Sequence, residues 1–125
     1  MSDTEKVRPF IRASTKYKRL YINPATHDLL GKPPFYEFLL DNEKKRLIIV
    51  PVWKARTESY PIPVRDVKNQ RRELVLRRYS FFMALTKKFG WQANITYKFF
   101  GEYIPEYNII VFQMANPIIK EDVSI

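Results

Sequence analysis

Apolar and polar residues alternate with a period of two over 35–41 and within 93–103, which is typical of β-strands with one buried face, and residues 46–52 form a continuous apolar run. In the first half, this pattern predicts strands over 9–14, 17–22, 35–41 and 46–52. A short helix from Pro24 to Leu30 is predicted between the second and third strands. Asn23 is a favourable N-cap, proline suits the first helical position, and Gly31 provides the C-cap.

The second half shows the same kinds of element. Strands are predicted over 71–78, 93–103 and 109–114, and residues 57–64 form an edge strand or an extended connector. A helix is predicted over Ser80–Phe89, with Ser80 as its N-cap and Gly90 at its end. Asn116 and Pro117 end the last predicted strand, and the residues after them are interpreted as a tail.

The two halves therefore follow one order: basic strand, short helix, glycine, strand, turn and apolar closing strand. We interpret residues 1–125 as a single domain with two similar βαββ units at about 12–52 and 71–114, preceded by an N-terminal arm over 1–8. The predicted class is α+β, mainly β. The units share few identical residues, so chance similarity between two βαββ stretches remains an alternative.

Composition excludes several classes of site. The chain has no cysteine, which rules out disulfides, a thiol nucleophile and cysteine-ligated metals, and is compatible with a cytoplasmic location. The N-terminal residues lack the apolar core of a signal peptide. No apolar run approaches the ~20 residues of a membrane helix, so we expect no membrane partner.

Positive charge is concentrated in two segments. Lysine and arginine number 22 against 13 acidic residues, a net charge of +9. Residues 1–20 carry six cations and two carboxylates, and residues 53–79 carry eight cations and three carboxylates, which together account for the whole excess. Each basic segment precedes one of the similar units. This distribution favours a polyanionic partner, with nucleic acid first.

Arginine outnumbers lysine in the second basic segment, and guanidinium groups can bind phosphate or guanine in a bidentate manner. Four tyrosines lie in or beside the basic segments and could stack on bases, although tyrosines in strands more often pack against neighbours: Tyr17, Tyr21, Tyr60 and Tyr79.

Two stretches of the first unit, "RLYINPATHDLLG" and "YEFLLDNEKKRLIIVPV", resemble the AbrB/SpoVT superfamily of swapped-hairpin proteins. The residues that carry this resemblance are Leu20, Ile22, Pro24, Leu30, Gly31, the strand Phe35–Asp41, Leu47, Ile49 and Pro51. Members with the MraZ-like arrangement carry two copies in one chain. The resemblance implies a swapped-hairpin, β-barrel-like pseudo-dimer made from the two βαββ units.

The superfamily's usual role implies a DNA-binding transcriptional regulator with double-stranded DNA as its partner. Basic residues on the strand and turn before each helix would approach the DNA. The candidate nucleic-acid-binding residues are Arg12, Lys16, Lys18, Arg19, Arg71, Arg72, Arg77 and Arg78. The chain departs from the family pattern within the short helix, at Ala25 to Asp28, and between the helix and the next strand, at Lys32 to Pro34.

No residue pattern predicts an enzyme, a metal site or a cofactor. The single histidine, His27, is interpreted as a surface residue near a helix end. The alternative function is a protein-interaction module, antitoxin-like or a mobile-element accessory protein, that does not bind DNA directly. Surplus aromatic residues in the second half favour that alternative, with a protein partner or a homodimer: Phe99, Phe100, Tyr103 and Tyr107. RNA binding ranks third, because RRM and KH signatures are missing from the sequence.

Overall fold

A computed structural model describes residues 8–62 and 73–121. The chain is mainly β, with 45% strand against 16% helix. The strands are β1 (Phe10–Ser14), β2 (Arg19–Ile22), β3 (Phe35–Asp41), β4 (Arg46–Val52), β5 (Tyr60–Pro61), β6 (Leu74–Leu76), β7 (Ile95–Ile104), β8 (Ile109–Gln113) and β9 (Ile118–Glu121), and the helices are α1 (Pro24–Leu29) and α2 (Tyr79–Phe89). Neither described helix has the length and apolar character needed to cross a membrane.

All described strands join one curled, antiparallel half-barrel sheet. Its order is β5-β3-β4-β8-β7-β1-β2-β6, and β9 pairs with β7 off this path. Three hairpins connect sequence neighbours: β1–β2, β3–β4 and β7–β8. Three further pairings join the two predicted units: β2 with β6, β4 with β8 and β1 with β7. The short edge strand β5 pairs with β3. The mainly β prediction is therefore confirmed, and the two units share one sheet.

The core lies inside the curl of the sheet. On strands β1, β2, β4, β6, β7 and β8, alternate residues point inward, as the period of two predicts, and they bury large aliphatic and aromatic side chains. The fully buried positions include Ile11, Ala13, Leu20, Ile22, Leu47, Ile49, Phe99, Ile110 and Phe112. One continuous cluster joins them, so neither unit has a separate core.

The longest strand, β7, connects the two parts of the curled sheet. It pairs with β1 through residues 96–100 and with β8 through residues 101–104. Gly101 stands at this change of partner, and its N–H donates to the carbonyl of Pro9 at 2.8 Å. A Cβ at Gly101 would lie 2.6 to 2.9 Å from side-chain atoms of Phe112 and Ile110. The sheet packs this tightly only because position 101 has no side chain.

The first helix begins as predicted. Asn23 is the N-cap of α1, its side chain accepts from the Thr26 N–H at 3.2 Å, and Pro24 occupies the first turn. The same side chain bonds β1, because its oxygen accepts from the Phe10 N–H at 3.0 Å and its amide donates to the Arg8 carbonyl at 2.8 Å. Asn23 therefore fixes α1 against the start of β1.

The predicted N-cap of the second helix is wrong. The helix α2 begins at Tyr79, so Arg78 rather than Ser80 occupies the cap position, and Arg78 makes no side-chain capping bond. Its carbonyl instead accepts from the Phe82 N–H at 2.9 Å. The chain turns early because β6 already ends at Leu76. Gly90 ends the helix in the left-handed region (φ 66°), as the sequence indicates.

Two edge strands differ from the sequence interpretation. Residues 118–121, expected to be a tail, form β9, which pairs with β7 through residues 95–98. All its side chains are exposed, so the strand is held by backbone hydrogen bonds along an otherwise open edge rather than by an apolar face that the sequence could reveal. Within 57–64, the described residues contain only the two-residue strand β5.

We expect Gly101→Ala to lower the free energy of unfolding by about 1–3 kcal/mol, because the added methyl group overpacks the contact with Phe112 and Ile110. Urea denaturation would measure the loss. The double variant Gly101→Ala/Phe112→Leu should lose less free energy of unfolding than the two single variants lose in sum, because the ring that clashes with the added methyl group has been removed. Strictly additive losses would contradict the close approach.

Candidate nucleic-acid interface

The turn between β1 and β2 is anchored to the start of β7. The buried Thr15 hydroxyl donates to the carbonyl of Gln92 at 2.7 Å and accepts from the Ile95 N–H at 2.9 Å, and the Thr15 N–H donates to the Ile95 carbonyl at 3.0 Å. The following residues, Lys16 to Lys18, are exposed, and Lys18 takes a left-handed conformation (φ 55°) that closes the turn. Two lysines thus project from a fixed loop.

Pairing between β2 and β6 brings the two basic segments together. Leu20 lies opposite Leu76 in an antiparallel register. The residues before Leu20 therefore lie beside the residues after Leu76, which places Arg19 next to Arg77. We define the basic end as the residues that meet at this edge of the sheet: Lys16, Lys18, Arg19, Arg77 and Arg78. All are exposed except Arg19, which is half-buried.

Tyrosines lie among these cations. Tyr17 is 58% exposed, with the Lys16 ammonium nitrogen 5.4 Å and the Arg19 guanidinium carbon 6.0 Å from its ring centroid. Tyr79 is 60% exposed and follows Arg78 directly. The Arg78 guanidinium carbon is 4.6 Å from the centroid of the half-buried Tyr60 ring. Of the four tyrosines that the sequence indicated, Tyr17 and Tyr79 are thus accessible at the basic end. Tyr60 packs against the Arg78 guanidinium group, and Tyr21 packs against that of Arg12.

The basic end has no carboxylate partner in the part of the chain that the structure describes. The ion pairs found there use other cations: Arg12–Glu73, Lys32–Asp28, Arg46–Asp41 and Arg56–Glu37. Within residues 8–62 and 73–121, no ion pair uses a cation of the basic end, although Arg78 and Glu58 line the same pocket. Such a surface attracts anions, and its arginines can bind a phosphate with two parallel hydrogen bonds.

One described residue among the predicted site residues, Arg12, is not part of the basic end. Arg12 lies further along β1, where it pairs with Glu73 and its guanidinium carbon is 4.2 Å from the Tyr21 ring centroid. The predictions for Arg71 and Arg72 lie outside the described residues.

A second group of cations was not singled out as one site by the sequence. The register of β1 and β7 places Phe10 opposite Phe100 and Arg12 opposite Lys98, on the face of the sheet away from the core. We define the outer-face cluster as Arg8, Phe10, Arg12, Tyr21, Lys98 and Phe100. The signal in the sequence is a cation two residues from a phenylalanine in each strand, but only the strand register shows that these pairs meet.

The prediction for His27 is wrong: the residue is buried, with 4% of its surface exposed. Its Nδ1 lies 2.6 Å from the hydroxyl oxygen of the fully buried Tyr36, and its Nε2 has no hydrogen-bond partner. Burial lowers the pKa of His27, and the Lys32 charge acts in the same direction, while the Asp28 carboxylate opposes both. Burial also raises the pKa of Tyr36. The pair is neutral at neutral pH and joins α1 to β3.

Comparisons with protein-family models, with curated proteins and with solved structures find no match to this chain. Within residues 8–62 and 73–121, no three histidine, cysteine or carboxylate side chains form a group that could hold a metal ion. The chemistry of the basic end and of the outer-face cluster therefore carries the functional argument.

Acid should destabilise the fold through His27. The pKa of His27 is lower in the folded protein than in the unfolded chain, so the unfolded chain binds the proton more readily. The stability that the neutral side chain contributes is therefore fully present above about pH 6.5, and it falls below that pH by up to about 1.4 kcal/mol per pH unit. Urea unfolding of the protein and of His27→Gln between pH 7.5 and 5 would measure this loss of stability. Asp41 stays ionised in that range, because a hydrogen bond from Arg46 lowers the pKa of its carboxyl group. Parallel pH profiles for the two proteins would exclude His27 as the cause.

Proposed function

We propose that this chain is a DNA-binding protein, and a transcriptional regulator, that contacts the phosphates of duplex DNA through its basic end. The observation that carries the proposal is the β2–β6 register, which pairs Leu20 with Leu76 and so brings the basic segment that ends at Arg19 beside the one that begins at Arg77. Two segments almost 60 residues apart in sequence thereby form one positive surface. Neither segment alone would span more than a few phosphates.

The chemistry of the basic end suits a nucleic-acid backbone. Each cation that neutralises a phosphate releases condensed counterions, so affinity falls steeply as salt rises. Arginine side chains can in addition reach guanine O6 and N7 in the major groove. The exposed rings of Tyr17 and Tyr79 supply hydroxyl donors for further phosphate contacts.

We further propose an AbrB-like pseudo-dimer for the architecture. Corresponding strands pair with each other, β2 with β6 and β4 with β8, as they would across a two-fold axis between identical chains. The pairing of β1 with β7 has a counterpart in the pairing of β5 with β3, if β5 is taken as the second copy of β1. This pattern supports a swapped arrangement in which each unit completes the other.

The proposed function is tested by a salt titration of duplex DNA binding. Lys16→Gln/Arg77→Gln should weaken binding and reduce the slope of log K against log salt by about 1.8, since each phosphate contact contributes about 0.9. Fluorescence anisotropy with a labelled 20-base-pair duplex would measure both quantities.

The matched control is Lys44→Gln/Lys54→Gln, which removes the same charge from exposed lysines away from the basic end. Its affinity and slope should stay close to those of the unchanged protein. The proposal fails if the protein does not bind duplex DNA at about 50 mM salt, where phosphate contacts are least screened, or if the two double variants lose affinity equally.

A protein-interaction module is the second candidate, and a different observation favours it. The aromatic residues that suggested it are only partly available, because Phe99 is buried while Tyr107 is 75% exposed. The better indication is Trp53, which is 57% exposed. Its ring lies beside Gly31, where an added Cβ would be 3.5 Å from the ring atoms. Large exposed aromatic side chains of this kind often anchor protein interfaces.

On this second hypothesis, we expect the chain to form a homodimer through Trp53. Sedimentation equilibrium at micromolar concentration should give twice the chain mass, and Trp53→Ser should return it to the mass of one chain. Ile118→Ser, which changes an exposed apolar residue on β9, is the control and should leave the dimer intact. A monomer at every concentration would count against the homodimer.

A further inference from the structure

We propose that the outer-face cluster is a second binding site, which takes single-stranded DNA by stacking unpaired bases on its rings and guanidinium groups and by pairing its cations with the phosphates. The cluster consists of three rings and three cations on neighbouring strands of one sheet. It shares no residue with the basic end.

The strand register builds this site from alternate positions. Phe10 and Arg12 point away from the core on β1, because the intervening Ile11 and the following Ala13 are buried. Directly opposite them on β7 are Phe100 and Lys98. Tyr21 lies opposite Arg12 on β2 and adds a third ring to the same face. All five of these side chains are half-buried, so each keeps an accessible part.

Cations and rings interleave within the cluster. The Lys98 ammonium nitrogen lies 4.1 Å from the Phe10 ring centroid and 4.9 Å from that of Phe100. The guanidinium carbon of Arg8 lies 4.2 Å from the Phe100 centroid, and that of Arg12 lies 4.2 Å from the Tyr21 centroid. The Phe10 and Phe100 rings meet edge to face at 6.1 Å. Positive charge is therefore held within reach of each ring.

This combination fits a nucleic acid better than other anions. Bases stack on aromatic rings and on guanidinium planes, while the phosphates between them need cations at short intervals. Arg8 and Lys98 have no carboxylate partner within residues 8–62 and 73–121, whereas Arg12 shares its charge with Glu73. A small anion such as phosphate would use the cations and leave three partly exposed rings without a role.

The occupant has to be single-stranded, because base pairing and stacking hide the faces of the bases in a duplex. We commit to DNA, the polymer proposed for the basic end, and a uridine 15-mer tests this choice, because the Tyr21 hydroxyl and the cations of the cluster can also contact a 2′-hydroxyl group. The competing explanation is that the cations only cover apolar rings and stabilise the sheet, and the experiment below distinguishes the two.

The test measures fluorescence anisotropy of a labelled 15-mer of deoxythymidine with the full chain. Phe10→Leu and Phe100→Leu each keep an apolar side chain and the charge but remove a ring, and should weaken binding between about fivefold and about a hundredfold. The matched control, Phe35→Leu, alters a half-buried phenylalanine on β3 outside the cluster and should leave the affinity unchanged. Thermal melts confirm folding. Arg8→Gln, which removes a charge at an exposed position and changes no buried side chain, should also weaken binding of the 15-mer.

The outcomes separate this site from the basic end. Loss of 15-mer binding in the ring variants, while the Phe35→Leu control binds normally, supports the proposal even if the basic end does not bind duplex DNA. If the basic end does bind duplex DNA, the ring variants should retain that binding. No binding of the 15-mer at about 50 mM salt would overturn it, as would ring variants that bind like the Phe35→Leu control. Tighter, ring-dependent binding of the uridine 15-mer would overturn the choice of DNA. Loss of the 15-mer only in Lys16→Gln/Arg77→Gln would assign single-strand binding to the basic end instead.

Discussion

The close approach at Gly101 is the constraint on which the arrangement of the sheet depends. Strand β7 belongs to both parts of the curled sheet, because its first half pairs with β1 and its second half pairs with β8. A side chain at position 101 would collide with Phe112 and Ile110, so the β8 side could not fold this tightly against β7. The close packing of β8 against β7, which joins the two parts of the sheet, thus depends on one residue without a side chain.

The fold brings like charges together, which does not favour stability. Arg19 and Arg77 lie side by side because Leu20 and Leu76 pair and are both buried, so burial of the apolar residues determines the register. The cost is repulsion among cations that form no described ion pair. A carboxylate at one of the exposed positions, Lys16, Lys18, Arg77 or Arg78, would relieve that repulsion without disturbing the core. The anionic ligand proposed for the basic end would relieve it as well.

Local signals in the sequence predicted local structure well. Strands β3 and β4 have the predicted bounds, and the Asn23 cap and the Gly90 end of α2 are confirmed, because each depends on neighbouring residues. The burial of His27 depends on contact with Tyr36 from another strand, and β9 depends on an open edge of β7, so neither is visible in a local pattern. The outer-face cluster was missed for the same reason, since only the β1–β7 register joins its residues.

The two units are similar in strand order but differ where they would contact a partner. The helix α1 has six residues and an asparagine cap that bonds β1, whereas α2 has eleven residues and follows two arginines without a side-chain cap. At the basic end, the β1–β2 turn lies beside the end of β6. At the opposite end of the same strand pair, the end of β2 lies beside the start of β6, and Glu73 there forms an ion pair with Arg12. If the protein reads DNA as a pseudo-dimer, the described residues of the two ends would make different contacts. The two halves of its binding site should then differ in sequence, because the symmetry of a site follows the symmetry of the protein that binds it.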